Sequence, residues 1–294
     1  MNSLQFKPGR KSVLILLGLV MLAALASLVI TLTSSGSGGF EQAKAQPIYK
    51  SLHLDQADTI SVKTSDEDYT LTRTDDGWVM PEKANMPIDG VKIDRLFASL
   101  TSAQRTQAMT QLPERFDELG LGDPETGGYG AAVSLDTEDI VWIFGVKNGQ
   151  QYARKQGETQ TWKLDALLPP LHSPLWWLDA SALSLPEITL PIRQLFVWVG
   201  DLRSDVSTAA DRASFADIYA GLSVEDVKSV DAQFGTRLAV FQIAYGAFEL
   251  QFSLVEDKSE NWLVFGPSKS STDVTSTAYL IDPLDASDLL SFAE

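Results

Sequence analysis

His53 and His172 are the two imidazoles of this sequence, and no cysteine accompanies them. Catalysis by imidazole or thiolate needs such a group to converge with a nucleophile or base and an orienting partner. The two histidines stand in different parts of the chain, and there is no G-x-S-x-G elbow to seat a serine nucleophile. Each is therefore read as an exposed or hydrogen-bonded loop residue. Carboxylates are plentiful and cluster at Asp66, Glu67 and Asp68, at Asp75 and Asp76, and at Asp136, Glu138 and Asp139. None of these clusters has the alternating ligands and distal glutamate of a calcium loop, and all three fall where hairpin turns are expected. Walker A, G-x-G-x-x-G and H-E-x-x-H patterns are absent as well. No catalytic residue, cofactor or metal is expected, and the chain reads as non-enzymatic. A carboxylate-based envelope hydrolase stays open as an alternative, because the separation of two acids is a three-dimensional property.

The aromatic run PLWWLD offers a different chemistry. Trp176 and Trp177 are neighbours and so point in different directions on any regular element, which makes them candidates for partner contact as well as for packing. Gly18, Ala23 and Ala26 join them as candidates, because small residues on an apolar helix let a second helix approach closely in lipid.

Those three small residues lie in Ser12–Leu32, a stretch of about 20 uncharged residues that matches the thickness of a bilayer core. Lys7, Arg10 and Lys11 precede it and no acid appears before Glu41, so the bias of positive charge puts the N-terminus in the cytoplasm. The apolar stretch is too long for a signal peptide core. It is expected to be an uncleaved anchor in a bacterial inner membrane, with all that follows in the periplasm. The chain carries 23 basic and 39 acidic residues, a net charge of −16. Three of the bases precede the anchor, so the exported part is more acidic still and is expected to repel nucleic acid. That acidity serves solubility in a salt-adapted host or attraction to a basic partner.

The elements that would position any site follow from periodicity. After the anchor, the glycine and serine run SSGSGG reads as a flexible tether. Ile60 and Val62, then Tyr69 and Leu71, alternate with polar residues, and Asp75, Asp76 and Gly77 turn the chain towards Trp78 and Met80. Ile93, Leu96, Phe97 and Leu100 fall at helical spacing, with Asp89 placed to cap the helix. LGLGDP and GGYG read as turns before the strands AVSLD, DIVWIFGVK, YARKQ and TWKLD. In the second half LFVWV reads as a buried strand, Phe215, Ile218, Tyr219 and Leu222 mark a helix, and RLAVFQIAY and FELQFSL form a hairpin around Gly246. WLVFG and YLIDPLDASDLL complete a plan that repeats the first half, although no early hairpin is evident there.

The expected fold is α+β: an N-terminal transmembrane helix, then two tandem modules of antiparallel sheet with helices packed on one face. The divisions are 1–11 (cytoplasmic), 12–32 (transmembrane), 33–48 (tether), 49–186 (first module) and 187–294 (second module). The order of segments resembles the domain of unknown function 4340 family of bacterial envelope proteins. Trp78 after the Asp-Gly turn, Pro87 and Asp89 before the helix, LGLGDP, and Tyr152 with Arg154 carry the likeness, from about residue 58 to 185. The resemblance implies an accessory role beside a gliding-motility-type ABC transporter and supplies no catalytic residue. The leading expectation is thus a membrane-anchored periplasmic accessory subunit, whose partners are an integral membrane complex such as ABC transporter subunits. A periplasmic module binding polysaccharide or lipid is the second alternative.

Overall fold

The computed structural model describes residues 45–49, 56–231, 233–266 and 276–293. The expected anchor at 12–32 and His53 lie outside these residues. No described helix is long and apolar enough to cross a membrane.

Two antiparallel sheets dominate the described residues. The first has ten strands: β1 (Gln46–Pro47), β2 (Thr59–Lys63), β3 (Asp68–Thr74), β4 (Gly77–Met80), β5 (Met86–Pro87), β6 (Gln104–Ala108), β7 (Ala131–Leu135), β8 (Trp142–Lys147), β9 (Gln150–Lys155) and β10 (Thr161–Leu164). The second has seven: β11 (Ile192–Val199), β12 (Leu202–Asp205), β13 (Val224–Val230), β14 (Thr236–Tyr245), β15 (Phe248–Asp257), β16 (Glu260–Phe265) and β17 (Ser276–Ile281). Helices are few: α1 (Gly90–Ser102), the single turn α2 (Pro174–Trp177), α3 (Ala209–Gly221) and α4 (Pro283–Leu290). The expectation of an α+β protein is corrected accordingly to a mainly antiparallel β protein. Strands such as β6, QRTQA, and β12, LRSD, show little apolar alternation and are built on backbone pairing, so periodicity undercounts the sheet.

Strand order is shared by the two sheets. From one edge the second runs β13-β17-β16-β15-β14-β11-β12, and the first contains β6-β10-β9-β8-β7-β2-β3. Each has an opening hairpin, a helix, a strand placed at the far side, a four-strand meander and a closing helix. The opening hairpin of the second sheet is β11 and β12, joined at Gly200, whose φ of 57° suits a tight turn. Its sequence hides it, because LFVWV is not buried throughout. Leu195 and Val197 face the core, while Phe196 and Trp198 are half-exposed on the other face. The first sheet continues past β3 into β4 and β5, and past β6 into β1. Among the described residues the second ends at β12 and β13.

The core follows from period 2 on the strands and period 3.6 on the helices. Ile60, Val62, Tyr69, Leu71, Val133 and Phe144 face Ile93, Leu96 and Leu100 of α1, whose first turn is capped by the Asp89 carboxylate accepting from Val91 N at 2.9 Å. In the second sheet, Phe241 and Phe252 are directly opposed and stacked at 4.9 Å, with Phe215 of α3 5.8 Å away. Such ring pairs contribute about 1 kcal/mol each beyond area burial. Both inner faces belong to one contiguous apolar cluster.

The two halves also meet through a polar joint. Strand β13 ends the second sheet, and against it lies the turn Pro81–Lys83. Lys83 is buried, and its Nζ reaches Glu67 at 2.8 Å and Asp226 at 3.0 Å. An ammonium held at that depth requires both carboxylates.

Candidate functional site

The Leu167–His172 run cannot continue a strand, because Pro169 and Pro170 lack donors. It is pinned from the core side. Gln151, buried at 2% exposure, donates from Nε2 to Gly145 O at 3.1 Å and accepts from Leu168 N at 3.2 Å. Tyr69 Oη donates to Leu171 O at 2.9 Å and accepts from Trp177 Nε1 at the same distance. Burial raises the Tyr69 pKa beyond the usual phenol range, which keeps this donor protonated.

Between that run and the end of β8 opens an apolar groove of about 430 Å³. Phe144, Val146, Leu167, the two prolines and the stacked pair Tyr129 and His172 line it. Tyr129, Val146 and Leu167 are 60%, 51% and 60% exposed at its rim. His172 lies flat on Tyr129, with ring centroids 4.4 Å apart and planes 4° apart. Its Nδ1 is buried without a hydrogen-bond partner. Burial lowers the His172 pKa, outweighing the nearby Asp66 charge and a backbone hydrogen bond at Tyr129 that would raise it. The imidazole is thus neutral at pH 7. It was expected to be an exposed or hydrogen-bonded loop residue, and it lies in a loop with a backbone hydrogen bond at Tyr129, half-buried as one wall of the groove. A larger concavity of about 880 Å³ on the second sheet is lined by Phe234, Arg237, Phe252 and Phe265 among others.

Behind this region the glycine motifs pack backbone to backbone. A side chain on Gly145 would overlap the Gly120 carbonyl, and one on Gly128 would overlap the backbone of Gly122 and Asp123. LGLGDP and GGYG therefore form one tight double loop, where separate turns were expected. Arg154 of β9 holds it. The guanidinium is buried over the Phe116 ring at 4.6 Å, donates from Nε to Leu121 O at 2.9 Å, and lies 3.6 Å from the Asp123 carboxylate. Gly128→Ala is expected to destabilise the fold by about 2 kcal/mol, measured by urea unfolding, because backbone must move to admit the methyl. An unchanged midpoint would contradict the packing.

The remaining candidates are distributed. Trp177 is fully buried and offers no surface to an outside molecule, whereas Trp176 is half-buried with Lys92 Nζ 5.3 Å from its ring centroid. Gly18, Ala23 and Ala26 lie outside the described residues. Of the acidic clusters, Asp136 accepts from Asp58 N and Thr59 N, each at 3.1 Å, and Glu67 serves Lys83. Asp75 and Asp76 form the β3–β4 turn. The groove was not foreseen. Its residues come from four segments, and the one local signal was the apolar, proline-broken character of LLPPLH.

The described residues thus form two antiparallel sheets, with an apolar groove on the first. Residues 78–190 match the model of a family described as a domain of unknown function, DUF4340. The resemblance drawn from Trp78, Pro87, Asp89, LGLGDP and Arg154 holds over that stretch, which contains the whole groove. No curated protein and no solved structure matches the chain.

Proposed function

We propose that the chain is a non-enzymatic accessory subunit of an envelope complex, anchored in a bacterial inner membrane by residues 12–32 and displaying its sheets in the periplasm. On the family resemblance, the complex is a gliding-motility-type ABC transporter. The uncharged segment and the cations before it support the anchoring and its direction. The observation that carries a binding role is the groove. Tyr129, Val146 and Leu167 expose apolar surface together at the mouth of a preformed cavity, which is where another molecule gains most by docking.

The test is purification of the full chain from membranes in mild detergent. Transporter membrane subunits are expected to accompany the wild type, and Val146→Asp with Leu167→Asp is expected to reduce their recovery about tenfold or more at unchanged thermal stability. Recovery of the chain alone, or equal recovery with the double variant, sinks the proposal. A second reading, an apolar ligand such as a lipid chain in the groove, is favoured by the predominantly apolar lining from Phe144 to Leu171. Native mass spectrometry distinguishes it, because a bound lipid would be seen as a mass increment that the double variant lacks.

A further inference from the structure

We infer that β12 is a pairing edge for a second copy of this chain, joining two seven-stranded sheets across a two-fold axis. The two sheets of the molecule share one strand order, yet they end differently on this side. In the first sheet β3 is followed outward by β4, with Arg73 opposite Trp78. In the second, the corresponding strand β12 has no strand beyond it among the described residues. The chain passes straight to α3 instead. Leu202, Arg203 and Asp205 are exposed, with Leu202 at 77%.

The direction of its free hydrogen-bonding groups follows from the hairpin. Val199 and Leu202 close a two-residue turn and so exchange hydrogen bonds, as Val197 and Ser204 then do by alternation. Val206 N donates to Leu195 O at 3.0 Å, which continues the same phase. The N–H and C=O groups of Arg203 and Asp205 therefore point away from β11, towards the open edge. An antiparallel copy meets both residues at once in a single register, with Arg203 opposite Asp205 of the second copy, Asp205 opposite its Arg203, and Ser204 on the two-fold axis.

Charge selects this register. The Arg203 side chain is extended across the outer face, its guanidinium 3.8 Å from the Phe196 ring centroid and 5.6 Å from that of Trp198. Asp205, two residues on, occupies the same face. Each of these two cross-strand positions thus holds opposite charges, a favourable arrangement, whereas a slip by two residues loses both pairs and sets like charges opposite each other. Charges on an edge strand deter pairing with arbitrary strands, and this edge admits one whose charges are reversed in order, its own antiparallel copy. In the same register the exposed Leu202 stands opposite Val206 of the second copy, a residue buried in its own core. A four-residue ladder is small beside the roughly 1,000 Å² of a stable interface, so the association is weak and is best read by trapping it.

The absence of cysteine gives a clean background for the test. In the full chain in mild detergent, Ser204→Cys gives up the hydrogen bond from Ser204 Oγ to Ala293 O at 2.7 Å and places two thiols across the axis, where α-carbons of a non-hydrogen-bonded pair are about 4.5 Å apart and within disulfide range. Diamide is expected to yield a disulfide-linked dimer at least about tenfold above that from Ser173→Cys, an exposed position outside β12. Adding Arg203→Asp, or instead Asp205→Arg, to Ser204→Cys should cut the yield by about tenfold through like charges. Mixing those two proteins should restore it, because their charges complement each other. Yields from Ser204→Cys no higher than from Ser173→Cys, or a mixture no better than either charge variant alone, would overturn the inference. Circular dichroism of each variant verifies that the fold is retained.

Discussion

Trp177→Ala should lower the free energy of unfolding by about 3–5 kcal/mol, and Tyr69→Phe by about 1–3 kcal/mol. The indole is fully buried and meets the Trp176 ring edge-on at 5.1 Å. Its backbone ties the single turn α2 to the start of α1: Trp177 O accepts from Asp89 N at 3.0 Å, and Asp179 N donates to Pro87 O at 2.9 Å. Truncation therefore opens a cavity at the point where two segments distant in sequence are joined. Tyr69→Phe removes less volume but leaves the indole N–H and the Leu171 carbonyl without their partner, both in a dry interior. Urea unfolding followed by far-ultraviolet circular dichroism measures both. A loss below about 1 kcal/mol for Trp177→Ala would mean that the ring is not the packing centre described here. Because Tyr69 also holds Leu171, the wall of the groove, Tyr69→Phe should weaken partner recovery as well.

What could be read beforehand depended on how local the cause was. Asp89 and the spacing of Ile93, Leu96 and Leu100 mark α1 because cap and stripe lie within one element, and the structure buries all three side chains there. Gly246 marks the β14–β15 hairpin for the same reason. The run LFVWV misled because half of its apolar residues cover the outer face, beside Arg203, a residue from another strand. Strand β6 escaped notice because its order comes from pairing with β10 and β1. The adjacency of Trp176 and Trp177 correctly implied two environments, but which ring would be inside depended on Tyr69, far away in the chain. Lys83 is the extreme case. In PEK it has the character of a surface residue, and its burial follows from Asp226 of the other sheet. The groove was equally hidden, since Gln151 positions it through contacts with Gly145 and Leu168 that no short window contains.

Lys83→Met should destabilise the molecule by about 2 kcal/mol. Breaking a fully buried bridge costs more, about 3–5 kcal/mol, but the Glu67 side chain is 38% and Asp226 27% exposed, and water screens what remains. The loss arises because methionine fills the space of the lysine stem while leaving two carboxylates facing each other at the joint. Asp226→Asn together with Lys83→Met should therefore cost less than the sum of the single changes, and strict additivity would show that the contact contributes nothing. The pH dependence has a definite sign. Burial alone would lower the Lys83 pKa, but hydrogen bonds and charge from Glu67 and Asp226 outweigh it and hold the pKa above its ordinary 10.5. The folded chain thus binds the proton more tightly than the unfolded one. The contribution is complete below pH 10.5 and is lost as pH rises through the folded value. The stability gap between wild type and Lys83→Met should be constant through neutral pH and narrow above pH 10.5. A gap that closes on the acid side alone would place the stabilising charge elsewhere, and a gap indifferent to alkaline pH would mean that the ammonium does not hold the two sheets together.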